Sequence, residues 1–213
     1  MKLQNWKQKA YLFDILGCIL YVIFAILAML FYAGGTAANP NKQGYSFWDN
    51  YLSEAGMSVA QSGKTNTTSM IFYSTGVIIW GVSLIFFFLA LRSLFTEGKL
   101  EKKLSTIGSV LGVIAAICMI GIGFTPADIL GGPHIIFVYI GYSALLYLGI
   151  IYSITLFKSE RLPLQYAIVL LIWTIIFMNT LSMGVVGQKI GRFSTIICFA
   201  YLGYGALKLE KGE

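Results

Sequence analysis

The chain has 213 residues, of which 57% are hydrophobic and only 11% are charged, and its mean hydropathy is +0.77. Soluble domains carry about 25% charged residues, so this composition excludes an ordinary soluble protein and indicates one that folds in lipid. The net charge of +6 does not indicate nucleic-acid binding, because the cations flank apolar segments instead of forming one basic tract. We expect a single transmembrane domain over residues 1–213.

Six apolar stretches have the length of a membrane-spanning helix, which needs about 20 residues. The sequence therefore predicts an all-α integral membrane protein, built as a bundle of six transmembrane helices. The sixth stretch is the shortest of them. The predicted spans lie near 11–32, 69–95, 105–124, 134–157, 164–184 and 193–207.

Lysine and arginine are unequally divided between the two sets of predicted loops. Eleven of the 15 lie at the chain ends and after the second and fourth spans, whereas Lys42, Lys64, Lys189 and Arg192 lie after the first or fifth span. The positive-inside rule then predicts that both termini are cytoplasmic and that the other loops face outward. The cytoplasmic set comprises Lys2, Lys7, Lys9, Arg92, Lys99, Lys102, Lys103, Lys158, Arg161, Lys208 and Lys211.

Several residues within the spans have an expected structural role. Cys18, Cys118 and Cys198 each lie in an apolar run, which predicts small buried side chains and no disulfide. Gly108 and Gly112 form a GxxxG pattern, which is typical of close helix packing. The partner helix can belong to the same chain or to a second copy, so the pattern is also compatible with a homo-oligomer. Asp14, near the cytoplasmic end of the first span, is expected to reach the membrane interface.

The segment GYSFWDNYLSEAG, residues 44–56, places polar side chains among aromatic ones in the first outward loop. A helical period over 47–55 puts the aromatic residues on one face and the polar ones on the other, which predicts a short outward-facing helix in the membrane interface. Ser46 and Asp49 have the spacing of a helix cap, and Gly56 has the position of a helix end. Glu54 lies in the last turn, where the helix dipole disfavours an acid, so it is expected to have a partner.

A second outward segment, GFTPADILGGPHIIF, covers residues 123–137 between the third and fourth spans. Thr125, Pro126 and Asp128 have the spacing of another helix start. His134, the only histidine of the chain, opens the fourth span. We expect both segments to lie on the same outer surface, so that their acids and the histidine come close together.

This outer surface holds the candidate functional residues. Carboxylates with an imidazole are suitable ligands for a divalent metal, with Asp49, Glu54, Asp128 and His134 as candidate ligands and Glu54 and His134 as candidate catalytic groups. A second interpretation is a proton-handling pair, because histidine titrates near neutrality. The third is structural: Asp49 and Asp128 can cap helices, and a single histidine at a helix start is often only hydrogen-bonded. No cofactor other than this divalent ion is indicated. The ligand-binding candidates are Asp49, Asn50, Ser53, Glu54, Asp128, His134, Asn179, Lys189 and Arg192.

Three of these ligand-binding candidates also have a possible structural role. Lys189 and Arg192, placed in the last outward loop, can bind a phosphate or lipid head group, or only anchor the protein at the interface. Asn179, in the outer part of the fifth span, is expected to face the bundle interior. Outside this set, Asn66-Thr67-Thr68 has the pattern of an outward glycosylation site.

The six-span layout, DNYLSEAG after the first span and GFTPAD followed by PH before the fourth resemble a family of prokaryotic six-helix membrane proteins of unknown function. The layout is also similar, more distantly, to the eukaryotic Frag/DRAM/Sfk group, which implies a role in lipid organisation. The resemblance implies a prokaryotic cell-membrane location and no assigned reaction. The motif positions are Asp49, Asn50, Ser53, Glu54, Gly56, Pro126, Asp128 and His134.

Three functions are compatible with these features. The first is a protein that binds, senses or moves a lipid or small amphiphile through an outward polar pocket. The second is a metal-dependent lipid hydrolase at the Asp/Glu/His site. A secondary transporter ranks third, because no charge is expected in the middle of a span. Membrane lipid is the expected partner, and nucleic acid is not.

Overall fold

A computed structural model describes residues 4–180 and 182–212; Lys2, one of the cations assigned to the cytoplasmic side, lies outside them. The described chain forms six α-helices and one short 3₁₀ helix, Leu52–Gly56. Five of the six α-helices are long and apolar enough to cross a membrane. The remaining one, the fifth in chain order, is apolar but has only 17 residues. The α-helices are α1 (Gln4–Leu30), α2 (Thr67–Arg92), α3 (Lys99–Phe124), α4 (Gly131–Lys158), α5 (Leu164–Thr180) and α6 (Gly184–Lys211).

The helices form a closed bundle in which each packs against the next along the chain and α6 packs against α1. Lys7 near the start of α1 forms a 3.2 Å ion pair with Glu210 near the end of α6, so the two ends of the chain are adjacent. The long α1–α2 connection lies at the opposite end of the bundle. The predicted all-α membrane-type fold is thus confirmed, with α5 shorter than the predicted span.

Aromatic rings fill the centre of the bundle. Phe88 of α2 lies edge-on to Phe199 of α6 at 5.5 Å between ring centroids, and Trp173 of α5 lies 5.1 Å from the same ring. Large rings need small neighbours: Gly112 of α3 faces Phe88 and Gly108 faces Tyr152 of α4. The GxxxG pattern therefore serves helix packing within this chain.

Two predictions about the helices are wrong. The sixth helix begins at Gly184, not at 193, so Lys189 and Arg192 lie inside α6 and not in a loop. Their side chains are 2% and 5% exposed. Asp14 does not reach the interface, because its side chain is fully buried between α1 and α6. Neighbouring helices enclose Asp14 and Arg192, whereas the α1–α2 connection covers the Lys189 ammonium with the Asn50 carbonyl and the rings of Tyr45 and Phe47.

Candidate functional site

The segment 44–56 folds with polar groups inside and aromatic rings outside. Residues 47–50 form a turn, and only Leu52–Gly56 is helical, as a 3₁₀ helix, so the predicted helix over 47–55 is wrong. Asn50 and Glu54 are 0% and 8% exposed, whereas Trp48 is 68% exposed. The exposed rings are suited to the head-group region of a bilayer. The buried polar groups instead hold the loop together.

Asn50 is the centre of this loop. Its Oδ1 accepts a hydrogen bond from the Ser46 amide at 2.8 Å, and its Nδ2 donates to the Gly35 carbonyl at 2.9 Å and to Glu54 Oε2 at 2.5 Å. The backbone carbonyl of Asn50 accepts a 2.5 Å hydrogen bond from Lys189 Nζ. Asn50 thereby joins the acid on the loop to the lysine on α6.

The partner expected for Glu54 is a pair of amides and not a cation. Its two oxygens accept hydrogen bonds from Asn50 and from Gln61 Nε2, the latter at 3.1 Å. Gln188 of α6 fastens the same 3₁₀ helix: its Oε1 accepts from the Leu52 amide at 2.5 Å and its Nε2 donates to Ser53 Oγ at 3.3 Å. We call this set of contacts, centred on Asn50, Glu54, Gln188 and Lys189, the Asn50 cluster.

Asp49 lies apart from this cluster, on the exposed side of the turn. Its Oδ2 accepts hydrogen bonds from Lys42 Nζ at 2.6 Å and from Ser46 Oγ at 2.5 Å. The Lys42 and Ser46 hydrogen bonds hold the pKa of the Asp49 carboxyl below its ordinary value. Ser46 and Asp49 thus pair as their spacing indicated, but they close a turn and do not begin a helix.

Asp128 joins the segment 123–137 to residues 58 and 59, just beyond the segment 44–56, so the two segments lie on one surface as expected. Its carboxylate accepts hydrogen bonds from the Ser58 amide, from Ser58 Oγ at 2.6 Å and from the Val59 amide at 3.0 Å. Partial burial works to raise the pKa of the Asp128 carboxyl, but the hydrogen bonds from Ser58 and Val59 outweigh it and lower that pKa.

Replacing Asp128 with alanine is expected to cost about 1 kcal/mol of stability at neutral pH, because the carboxylate is exposed but accepts backbone amides. Since its pKa is lowered in the folded state, this stabilisation is present above the unfolded value of about 3.9 and is lost as the pH falls through the folded value. The difference in unfolding midpoint between the wild type and Asp128→Ala should therefore shrink as the pH falls below the unfolded value of about 3.9. A difference that does not shrink on acidification would contradict this role.

His134 and Asn179 have local partners. The Nδ1 of His134 donates to the Thr125 carbonyl at 2.6 Å, which fastens the start of α4 to the end of α3. Asn179 is exposed and donates to the Ile175 carbonyl of its own helix, so it does not face the bundle interior as expected. The four candidate metal ligands thus have separate partners, and no group of three or more His, Cys, Asp or Glu within 4–180 and 182–212 is placed to hold a metal ion.

Asn66 is buried, although the sequence pattern indicated an accessible glycosylation site. Its side chain is 2% exposed. The Oδ1 accepts from the Ala33 amide at 3.0 Å, and the Nδ2 donates to the carbonyls of Ala55 and Met57. Attachment of a glycan to this nitrogen would remove those hydrogen bonds, so the folded protein does not present the site.

Arg192 is the residue whose surroundings the sequence did not indicate. Its guanidinium lies over three aromatic rings, at 5.3 Å from the centroid of Trp80 and 5.9 Å from those of Tyr21 and Tyr142. Its polar contact is a weak acceptor, the Met119 sulfur. No Asp or Glu oxygen in the described part of the chain lies within 4.0 Å of it. The four-residue spacing of Gln188 and Arg192 was the available sign that both lie on one helix face.

A groove opens beside Arg192, between α4 and α6. It has a volume of about 430 Å³, which is within the range of small-molecule sites. Its wall includes Tyr142, whose ring centroid lies 5.9 Å from the Arg192 guanidinium, and Gln188, one helical turn from Arg192. We call it the α4–α6 groove; its lining also includes Tyr51, Ile135, Val138, Tyr139, Thr180 and Gly184.

The apolar helices, the exposed rings and the buried polar groups together define a multi-pass helical membrane protein. Comparison with known families shows which family this is: the chain belongs to the one described as "Protein of unknown function (DUF998)", whose sequence model matches residues 18–203. The predicted membership of a family of unknown function is confirmed. No curated protein and no solved structure matches the chain significantly. The distant likeness to the Frag/DRAM/Sfk group stays a prediction.

Proposed function

We propose that this protein binds a lipid or small amphiphile in the α4–α6 groove, with an anionic head group paired to Arg192. The observation that carries the proposal is the position of this guanidinium. It is buried next to the groove, yet no carboxylate of the described chain neutralises it. A buried charge without a counter-ion is costly even when aromatic rings surround it, and charged residues inside membrane spans commonly mark ligand pathways.

The lining of the groove is suited to both parts of such a ligand. Ile135, Val138 and Tyr139 of α4 offer apolar surface for a hydrocarbon chain. Tyr142 offers a hydroxyl group, and its ring centroid lies 5.9 Å from the Arg192 guanidinium. The Gln188 amide in the same wall is already hydrogen-bonded to Leu52 and Ser53. A shift of Tyr142 would let a carboxylate or phosphate reach the guanidinium, which donates hydrogen bonds in a fixed fork.

The groove lies at the end of the bundle that carries the α1–α2 connection. By the distribution of lysine and arginine, we place this end outside the cell membrane and both termini in the cytoplasm. An outward groove at this depth opens sideways to the outer leaflet. The ligand then enters from lipid and not from the cytoplasm.

A secondary transporter is a second candidate, because the argument against it no longer holds. Asp14 and Arg192 are buried charge-bearing residues within α1 and α6. Such residues are typical of proton and substrate pathways. The lipid hydrolase has less support, since Asp49, Asp128 and His134 each have a separate partner.

The test is a binding titration of purified protein in zwitterionic nanodiscs with a fluorescent fatty acid. We expect the acid to bind more tightly than the same labelled chain with an alcohol head. Arg192→Gln should weaken binding of the acid by about 30-fold or more, which corresponds to a loss of about 2 kcal/mol, and Arg192→Lys should weaken it less.

Arg161→Gln is the matched control, because Arg161 pairs with Glu97 on the exposed surface at the other end of the bundle. It should leave binding unchanged. The size and monodispersity of each variant in the nanodisc show whether it is folded. Equal binding of the acid and the alcohol, or an unchanged affinity of folded Arg192→Gln, would overturn the proposal.

A further inference from the structure

Asp14 lies where α1 and α6 pack against each other. Its carboxyl faces Gly203, where a Cβ would come within 3.0 Å of the Asp14 Oδ2. The absence of a side chain on Gly203 is what makes room for the acid. The residue is 0% exposed.

The carboxyl has no polar partner among the described residues. Neither oxygen has a hydrogen-bond donor, and no nitrogen of a lysine, arginine or histidine lies within 4.0 Å. On α2, the residues that lie against the same stretch of α1 are Trp80 and Ser83, beside Gly17, and neither of them titrates. The titratable groups around it are Tyr11 and Cys18 on α1 and Cys198 on α6, with Lys7 and Glu210 nearer the chain ends.

An ionised carboxylate in this position would be an unpaired charge inside a membrane bundle. Burial of such a charge is so unfavourable that the group takes up a proton instead. We propose that Asp14 is an intramembrane proton-binding site, occupied by a proton while α1 and α6 are in contact and emptied when they separate. The ligand of this second site is therefore the proton itself.

A cavity lies at the end of the bundle toward which Asp14 could release its proton once α1 and α6 separate. At the chain ends, a cavity of about 460 Å³ is lined by Lys7, Glu210 and Arg161, among others. The Lys7–Glu210 ion pair and a 2.9 Å hydrogen bond from Gln8 Nε2 to the Glu210 carbonyl close α1 on α6 there. Tyr11 lies one helical turn from Asp14 on that side, with a buried hydroxyl that has no partner within the described chain.

Release of this proton is linked to the groove through one helix. Gly203, which faces Asp14, and Arg192, beside the α4–α6 groove, are both on α6. A movement of α6 on ligand binding would separate Gly203 from Asp14, admit water from the cavity and transfer the carboxyl proton to it. This last step rests on the proposed function, whereas the proton site itself does not.

The experiment is infrared spectroscopy of protein labelled with ¹³C at the side-chain carboxyl of aspartate. The chain has only three aspartates, Asp14, Asp49 and Asp128. The latter two have lowered pKa values and are ionised at neutral pH, so a labelled protonated-carboxyl band at pH 7 reports Asp14. We expect this band in the wild type and in Asp49→Asn, and its complete loss in Asp14→Asn.

The wild-type spectrum alone tests whether Asp14 holds a proton, even if Asp14→Asn does not fold. Absence of a labelled protonated band at pH 7 overturns the proposal, and no amphiphile is needed for this result. Addition of the fatty acid then tests the linkage. Loss of the band on binding supports proton release, whereas a band unchanged at saturation overturns the linkage and leaves amphiphile binding intact.

Discussion

Asn50→Ala is expected to lower the free energy of unfolding by about 3 kcal/mol or more. The substitution leaves the Ser46 amide, the Gly35 carbonyl and Glu54 Oε2 without their side-chain partner. A buried polar group that loses its partner costs about 1–3 kcal/mol, and more when it is charged. Chemical unfolding of the protein in mixed micelles measures the difference.

Asn179→Ala is the control for this experiment, because it removes the same amide group from an exposed position. The Asn179 side chain donates only to the Ile175 carbonyl of its own helix. Its replacement should change stability by less than about 0.5 kcal/mol. Equal effects of the two substitutions would show that the Asn50 cluster does not stabilise the loop.

Gly35→Ala is the second substitution with a large expected effect. Gly35 has a positive φ of +85°, and an added Cβ would lie 2.2 Å from the Ser62 amide nitrogen. The left-handed backbone costs about 1–2 kcal/mol for a residue with a side chain, and overpacking against backbone adds about 1–3 kcal/mol. We therefore expect a loss of about 2–5 kcal/mol in the same unfolding measurement.

Gly44→Ala separates these two contributions. Gly44 also has a positive φ, of +65°, but a Cβ there would meet nothing within 4 Å. It should show only the backbone cost of about 1–2 kcal/mol. If Gly35→Ala were no worse than Gly44→Ala, the crossing of segment 34–35 over Ser62 would not be as tight as described.

The positions of the first five helices follow from the sequence because long apolar runs in lipid have few alternatives to a helix. The sixth does not, because Gly184, Gly187 and Gly191 with Lys189 and Arg192 reduce the hydropathy of its first turns. Those residues are helical because neighbouring helices cover them: Thr180 packs on Gly191, and aromatic rings surround Arg192. Such tertiary contacts have no local sequence signal.

The sequence predicts where the candidate site lies, but not that its polar side chains point into the protein. The sequence indicated that segments 44–56 and 123–137 lie on one surface, and the hydrogen bond from Ser58, just beyond the first segment, to Asp128 of the second joins them. It did not indicate that Asn50 and Glu54 face inward, because Gly35 and Lys189, the partners of Asn50, are 15 and 139 residues away. Gln61, the partner of Glu54, lies beyond the predicted helix. A helical period assigns faces correctly only where a helix forms, and the turn at 47–50 breaks that period.

The length of α5 has a consequence for the surrounding bilayer. Its 17 residues span about 25 Å, roughly 5 Å less than a typical hydrocarbon core. Hydrophobic mismatch of this kind is relieved by local thinning of the membrane. Since α5 ends at Thr180, which borders the α4–α6 groove, lipid head groups there should sit deeper than elsewhere around the protein.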